Sequence, residues 1–108
     1  MSKIYPVGLV GESNYQVAIR RCSEGQGAKV VVEIDNPYDE LALAVVSEKG
    51  ETLGYIARDS WLRDAIHEQG LGCEAVIKTI GVGETGLYGV VLDVSLNDDD
   101  IMERDYAR

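Results

Sequence analysis

Apolar residues along this chain gather into six short runs rich in Val, Leu and Ile: Ile4 to Val10, Lys29 to Ile34, Leu41 to Ser47, Thr52 to Ile56, Cys73 to Ile80 and Leu87 to Leu96. Their length and β-branched content predict strands. In the last run Tyr88, Val90, Leu92, Val94 and Leu96 alternate onto one face, as a half-buried strand requires. Lys49-Gly50 predicts a tight hairpin between the third and fourth runs. Twice the period changes to a helical one. Ser13 with Gln16 reads as a capping box before Tyr15, Ala18, Ile19 and Cys22 at i, i+3, i+4 and i+7, ending before Gly25. Asp59 reads as the cap of a second helix with the apolar stripe Leu62, Ala65 and Ile66, stopped by Gly70. The order β-α-β-β-β-α-β-β has too little helix for parallel crossovers, so a mainly β fold is expected: an antiparallel β-barrel of about six strands with two short covering helices.

Composition narrows the picture. With 108 residues the chain is long enough for one core and too short for two. No apolar stretch approaches the roughly 18 residues a membrane span needs, and the first residues lack a signal-peptide pattern, so a cytoplasmic location is expected. Residues 1–96 are expected to form the barrel domain and 97–108 an acidic polar tail. Ten Lys and Arg against nineteen Asp and Glu leave a net charge of −9. The last twelve residues hold five acids and two bases, leaving fourteen acids against eight bases, so the body still carries −6. Such a balance excludes a generic polyanion binder, because non-specific nucleic-acid affinity comes mainly from Lys and Arg displacing counterions. It leaves room for a small, locally shaped site.

Little in the chain carries catalytic chemistry. Gly81-Val82-Gly83-Glu84-Thr85-Gly86 matches the dinucleotide fingerprint in letters, but that motif needs a helix after the glycines, and here a strand is expected. The stretch is read as a hairpin loop. His67 is the only histidine and is placed on the solvent side of its helix; Cys22 and Cys73 lie far apart with no CxxC pair and are read as small packed thiols. Residues 97–105 lack the glycine and closing Glu of a calcium loop. No catalytic residue, metal or cofactor is expected. The most informative stretch is Glu33-Ile34-Asp35-Asn36-Pro37-Tyr38-Asp39-Glu40 between two strands, where Pro37 stiffens the backbone and Asn36 and Asp39 are suited to bond local backbone groups. It predicts a rigid, exposed corner.

Four patches resemble the HIRAN domain family: Leu9-Val10-Gly11 with Tyr15 after it; Asp35-Asn36-Pro37-Tyr38-Asp39 followed by Ala42-Leu43-Ala44-Val45; Gly50-Glu51-Thr52-Leu53-Gly54-Tyr55-Ile56; and the closing strand Val90 to Leu96. The resemblance spans roughly residues 8 to 96 and implies an OB-like barrel. It further implies a non-enzymatic DNA-binding module that recognises single-stranded DNA or free 3′ ends in a pocket at the Asn-Pro-Tyr-Asp corner. Asp39 matches an acid that accepts a hydrogen bond from a terminal hydroxyl, Tyr15 an aromatic near the terminal nucleotides, and Arg58 a basic position suited to a phosphate. Asn36, Tyr38 and Tyr55 complete the implied nucleic-acid-binding set. Ser13-Asn14 stands where DNA-binding relatives have Arg-Tyr, removing a cation and an aromatic. Arg20, Arg21 and Lys78 are the candidates for a supplementary basic patch. A protein partner is expected to supply any motor or nuclease activity in repair. The alternative is a protein-interaction module that has lost DNA binding.

Overall fold

The computed structural model describes residues 3–106. Seven strands are present among them: β1 (Tyr5–Val10), β2 (Gly27–Ile34), β3 (Leu43–Ser47), β4 (Thr52–Ile56), β5 (Gly72–Val82), β6 (Tyr88–Asn97) and β7 (Met102–Asp105). Two helices accompany them, α1 (Gln16–Arg20) and α2 (Trp61–His67). The strands pair in the order β3-β4-β1-β6-β5-β2-β7, and β3 also pairs with β2, so six strands close into a ring. All pairings within the ring are antiparallel. This is a mainly β arrangement carrying two helices, as the hydrophobic pattern predicts, and OB-like, as the resemblance implies.

The core lies inside the ring. Val7, Leu9, Val30, Leu43, Val45, Leu53, Ile77, Val90, Leu92 and Val94 fill it, joined by Ile19 from α1 and by Leu62 and Ile66 from α2. Each such side chain contributes about 1.5–3 kcal/mol by leaving water. Cys22 and Cys73 are free thiols packed against this cluster. Burial pushes the Cys73 thiol up to about 11. The hairpin turns behave as their sequences require: Gly50 and Gly86 adopt left-handed φ values of 83° and 80°. Gly81 and Val82 end β5, and Gly83 to Leu87 join it directly to β6, with no helix to meet a pyrophosphate.

Three local expectations give way. The first helix does not start with a Ser13 capping box: Gly11 is left-handed, Glu12–Asn14 forms a tight 3₁₀ turn, and α1 begins at Gln16 with no side-chain cap. The Gln16 amide instead donates to the Glu12 and Tyr88 carbonyls, both at 3.0 Å, and accepts from the Tyr88 N–H at 2.7 Å. Two hydrogen bonds to the backbone of Tyr88 on β6 thus take the place of a local cap. In α2 the cap is Ser60 rather than Asp59, its Oγ accepting from the Leu62 N–H at 3.3 Å. His67 is half-buried, its Nε2 lying 3.0 Å from the Leu41 carbonyl oxygen, so it ties α2 to the corner loop.

The seventh strand lies within the stretch read as a polar tail. β7 runs parallel to β2, in register from Val31 against Met102 to Ile34 against Asp105. The N-terminal end of β2 pairs with β5 through Gly27 and Ala28, so β7 occupies the rest of the same edge. The turn that feeds it is close-packed at Gly72, where a Cβ would collide with the Asp99 carbonyl oxygen.

Candidate functional site

The corner between β2 and β3 builds one wall of a cleft of about 510 Å³. Asp35 takes a left-handed φ of 60°, and the chain then folds around the Asn36 side chain. Asn36 Oδ1 accepts from the Tyr38 and Asp39 N–H groups at 2.8 and 3.2 Å, and its Nδ2 donates to Glu33 Oε1 at 3.0 Å. Asp39 Oδ1 accepts from the Leu41 N–H at 3.1 Å. The local backbone bonding expected of Asn36 and Asp39 is therefore present. Asn36 is buried, and its role is to hold the corner; Tyr38 is 74% exposed at the mouth.

The floor is a buried polar network. Glu33, only 1% exposed, receives the Tyr55 hydroxyl at 2.7 Å on Oε1 and the Arg104 guanidinium on Oε2, through Nε at 2.9 Å and Nη2 at 2.6 Å. Arg104 Nη2 also donates to Thr52 Oγ1 at 2.9 Å. Burial, reinforced by the hydrogen bond to Glu33, raises the Tyr55 phenol well above its ordinary range. Close packing at Gly54 brings β4 against β1: a Cβ there would stand 2.9 Å from the Val10 carbonyl oxygen. That contact sets Tyr55 beside Tyr15, with ring centroids 6.2 Å apart.

Charge in the cleft differs from charge on the chain. Asp39 Oδ1 is gripped at 2.8 Å by Arg63, whose side chain is 9% exposed on α2, and its Oδ2 faces Arg58 Nε at 3.7 Å. Arg58 is 71% exposed and donates to the Tyr38 carbonyl at 2.6 Å. Along the lining Arg58 and Arg104 balance Asp39 and Glu33, with the buried Arg63 behind Asp39, so the cleft carries no net negative charge in a chain of −9. Oδ2 of Asp39 has no hydrogen bond among the described residues and is the carboxylate oxygen left to accept one.

All six sequence-identified residues, Tyr15, Asn36, Tyr38, Asp39, Tyr55 and Arg58, line this one cleft. Arg20, Arg21 and Lys78 do not: Arg21 pairs with Glu51 at 2.9 Å and Lys78 faces Asp93 at 3.9 Å. The residues missed from sequence are Glu33, Thr52, Arg63, Arg104 and Tyr106. A carboxylate inside the apolar run Lys29 to Ile34 was the available signal for Glu33. Nothing local marks Arg104, whose partner lies 71 positions away.

No family model matches the chain, and no curated protein matches it. Among solved structures, the HIRAN domain of human HLTF superposes with a TM-score of 0.66 at 17% identity, covering 88% of this chain and 78% of that one. The fold is that of a HIRAN domain. A protein from Lactobacillus plantarum superposes with a TM-score of 0.62 at 19% identity, covering 88% of this chain and 97% of its own. Among the described residues no helix is long and apolar enough to cross a membrane.

Proposed function

We propose that this chain is a DNA-binding module, without catalysis of its own, that takes single-stranded DNA or a free 3′ end into the cleft. The observation that carries the reading is the concentration there of four of the chain's six tyrosines beside two arginines, Arg58 and Arg104, in a charge-balanced lining. Tyrosine faces stack bases with little regard to sequence, at about 1–3 kcal/mol per base. Tyr15 and Tyr38 supply those faces, and Arg58, the most exposed cation of the cleft, meets a phosphate. Asn36 and Tyr55 act from beneath by holding the corner and the floor. Asp39 Oδ2 accepts from a terminal 3′-hydroxyl and repels a 3′-phosphate, so end selectivity comes partly from repulsion of the wrong end. The HIRAN fold shared with the human HLTF domain supports the reading. Because each carboxylate of the cleft is held by arginine, the site is better suited to binding than to proton transfer.

The test is a fluorescence-anisotropy titration of labelled oligonucleotides that differ only in a 3′-hydroxyl or 3′-phosphate, at low and moderate salt. The reading predicts tighter binding of the hydroxyl end, weakened by Tyr15→Ala and with its end preference lost in Asp39→Ala. Absence of binding at low salt, or binding indifferent to end chemistry and to both substitutions, refutes it and leaves a protein-interaction module.

A further inference from the structure

We infer that β7 is a wall of the binding site, with Tyr106 and Arg104 as ligand-contacting residues; this rests on the reading of the cleft as a single-strand site. The parallel register with β2 ends at Ile34 against Asp105, and the Tyr106 N–H donates to the Ile34 carbonyl at 2.9 Å, so the strand delivers Tyr106 to the start of the corner. There its ring meets Tyr38 edge-on, with centroids 6.3 Å apart and planes inclined at 68°. The two rings thus form one edge-to-face aromatic pair at the mouth, one ring from the corner and one from the C-terminal strand. A base stacking on the outer face of this pair is supported by both segments.

Arg104 adds the second element. Its Nε and Nη2 are spent on Glu33 and Thr52, Nη1 makes no hydrogen bond among the described residues, and the side chain is 29% exposed along the cleft. It is held rigidly by one face and offers the other to an anion, which suits a sugar-phosphate backbone passing between it and Arg58. The wall is short and carried by one parallel pairing, so ligand bound to it and its docking on β2 reinforce one another. Occupancy of the cleft and order of the C-terminal segment are coupled.

The experiment measures affinity of a 3′-hydroxyl oligothymidylate for the full chain, for Tyr106→Ala and for Arg104→Gln, across a salt series below each variant's melting temperature. Hydrogen exchange of the β7 amides is followed with and without oligonucleotide. Tyr106→Ala is expected to bind about tenfold more weakly. Arg104→Gln is expected to lower the slope of log affinity against log salt by about 0.7, the signature of one lost single-strand phosphate contact, which a merely structural defect leaves unchanged. The amides of residues 104 to 106 are expected to exchange more slowly when ligand is bound. If Tyr38→Ala weakens binding while Tyr106→Ala binds as the wild type and the Arg104→Gln slope is unaltered, the inference fails and the cleft reading stands. If the wild-type chain binds no oligonucleotide, both fail.

Discussion

Replacing Arg104 by Met removes the guanidinium while keeping a side chain of similar reach, and the consequence falls on Glu33. That carboxylate is 1% exposed and has no bulk water to turn to. Oε2 loses both of its N–H donors, whereas Oε1 keeps the Asn36 amide and the Tyr55 hydroxyl. Removing one partner of a buried ion pair costs about 3–5 kcal/mol, chiefly from the charge left behind. The two surviving hydrogen bonds, and the part of Arg104 that already faces water, place this case at the lower end, about 3 kcal/mol. For a domain of this size that lowers the melting temperature by about 12 °C. Thermal unfolding followed by circular dichroism measures it, with the double substitution Glu33→Gln, Arg104→Met as control. Because the double variant buries no charge, it is expected to melt above Arg104→Met alone. A single variant melting within about 2 °C of wild type, or a double variant less stable than the single, refutes the claim that Arg104 neutralises a desolvated Glu33.

Other substitutions probe the same frame. Tyr55→Phe removes a hydrogen bond to a charged acceptor and is expected to cost about 1.5–2 kcal/mol in urea unfolding at pH 8. Since the folded-state phenol of Tyr55 ionises above its unfolded value, its contribution is complete below about pH 10 and is lost as pH rises toward the folded value. Wild-type stability should therefore fall more steeply than that of Tyr55→Phe in urea melts taken above pH 10. Gly54→Ala drives a methyl group against the Val10 carbonyl and is expected to cost about 1–3 kcal/mol in chemical denaturation. Ser60→Ala should lose about 1 kcal/mol of thermal stability by uncapping α2, whereas Asp59→Ala, which removes no cap, should change it little.

What could be read from the sequence was what local chemistry determines. Alternation in Tyr88 to Leu96 and the β-branched runs locate six strands, and Asn36 organises its corner through bonds to residues two and three positions away. Tertiary pairing escaped. Met102-Glu103-Arg104-Asp105 has no apolar alternation, and it becomes a strand because the edge of β2 is open there and Glu33 needs a cation. Arg63 lies beside the apolar stripe of α2 in sequence, yet its partner Asp39 is 24 positions earlier. The cations that matter to the cleft are thus Arg63 and Arg104 with Arg58, while Arg21 and Lys78 are drawn to acids elsewhere. The charge of −9 that argues against a polyanion binder describes the whole surface, whereas the charges lining the cleft balance.

The most direct test of the central claim is a two-dimensional NMR titration of the ¹⁵N-labelled chain with a short 3′-hydroxyl oligothymidylate. The account predicts that amide shifts concentrate at Tyr15, at Asn36 to Asp39 without Pro37, at Tyr55 and at Arg58, with Arg20, Arg21 and Lys78 unmoved. Shifts centred on α1 or on the Gly81 to Gly86 hairpin, or no shifts at low salt, contradict it.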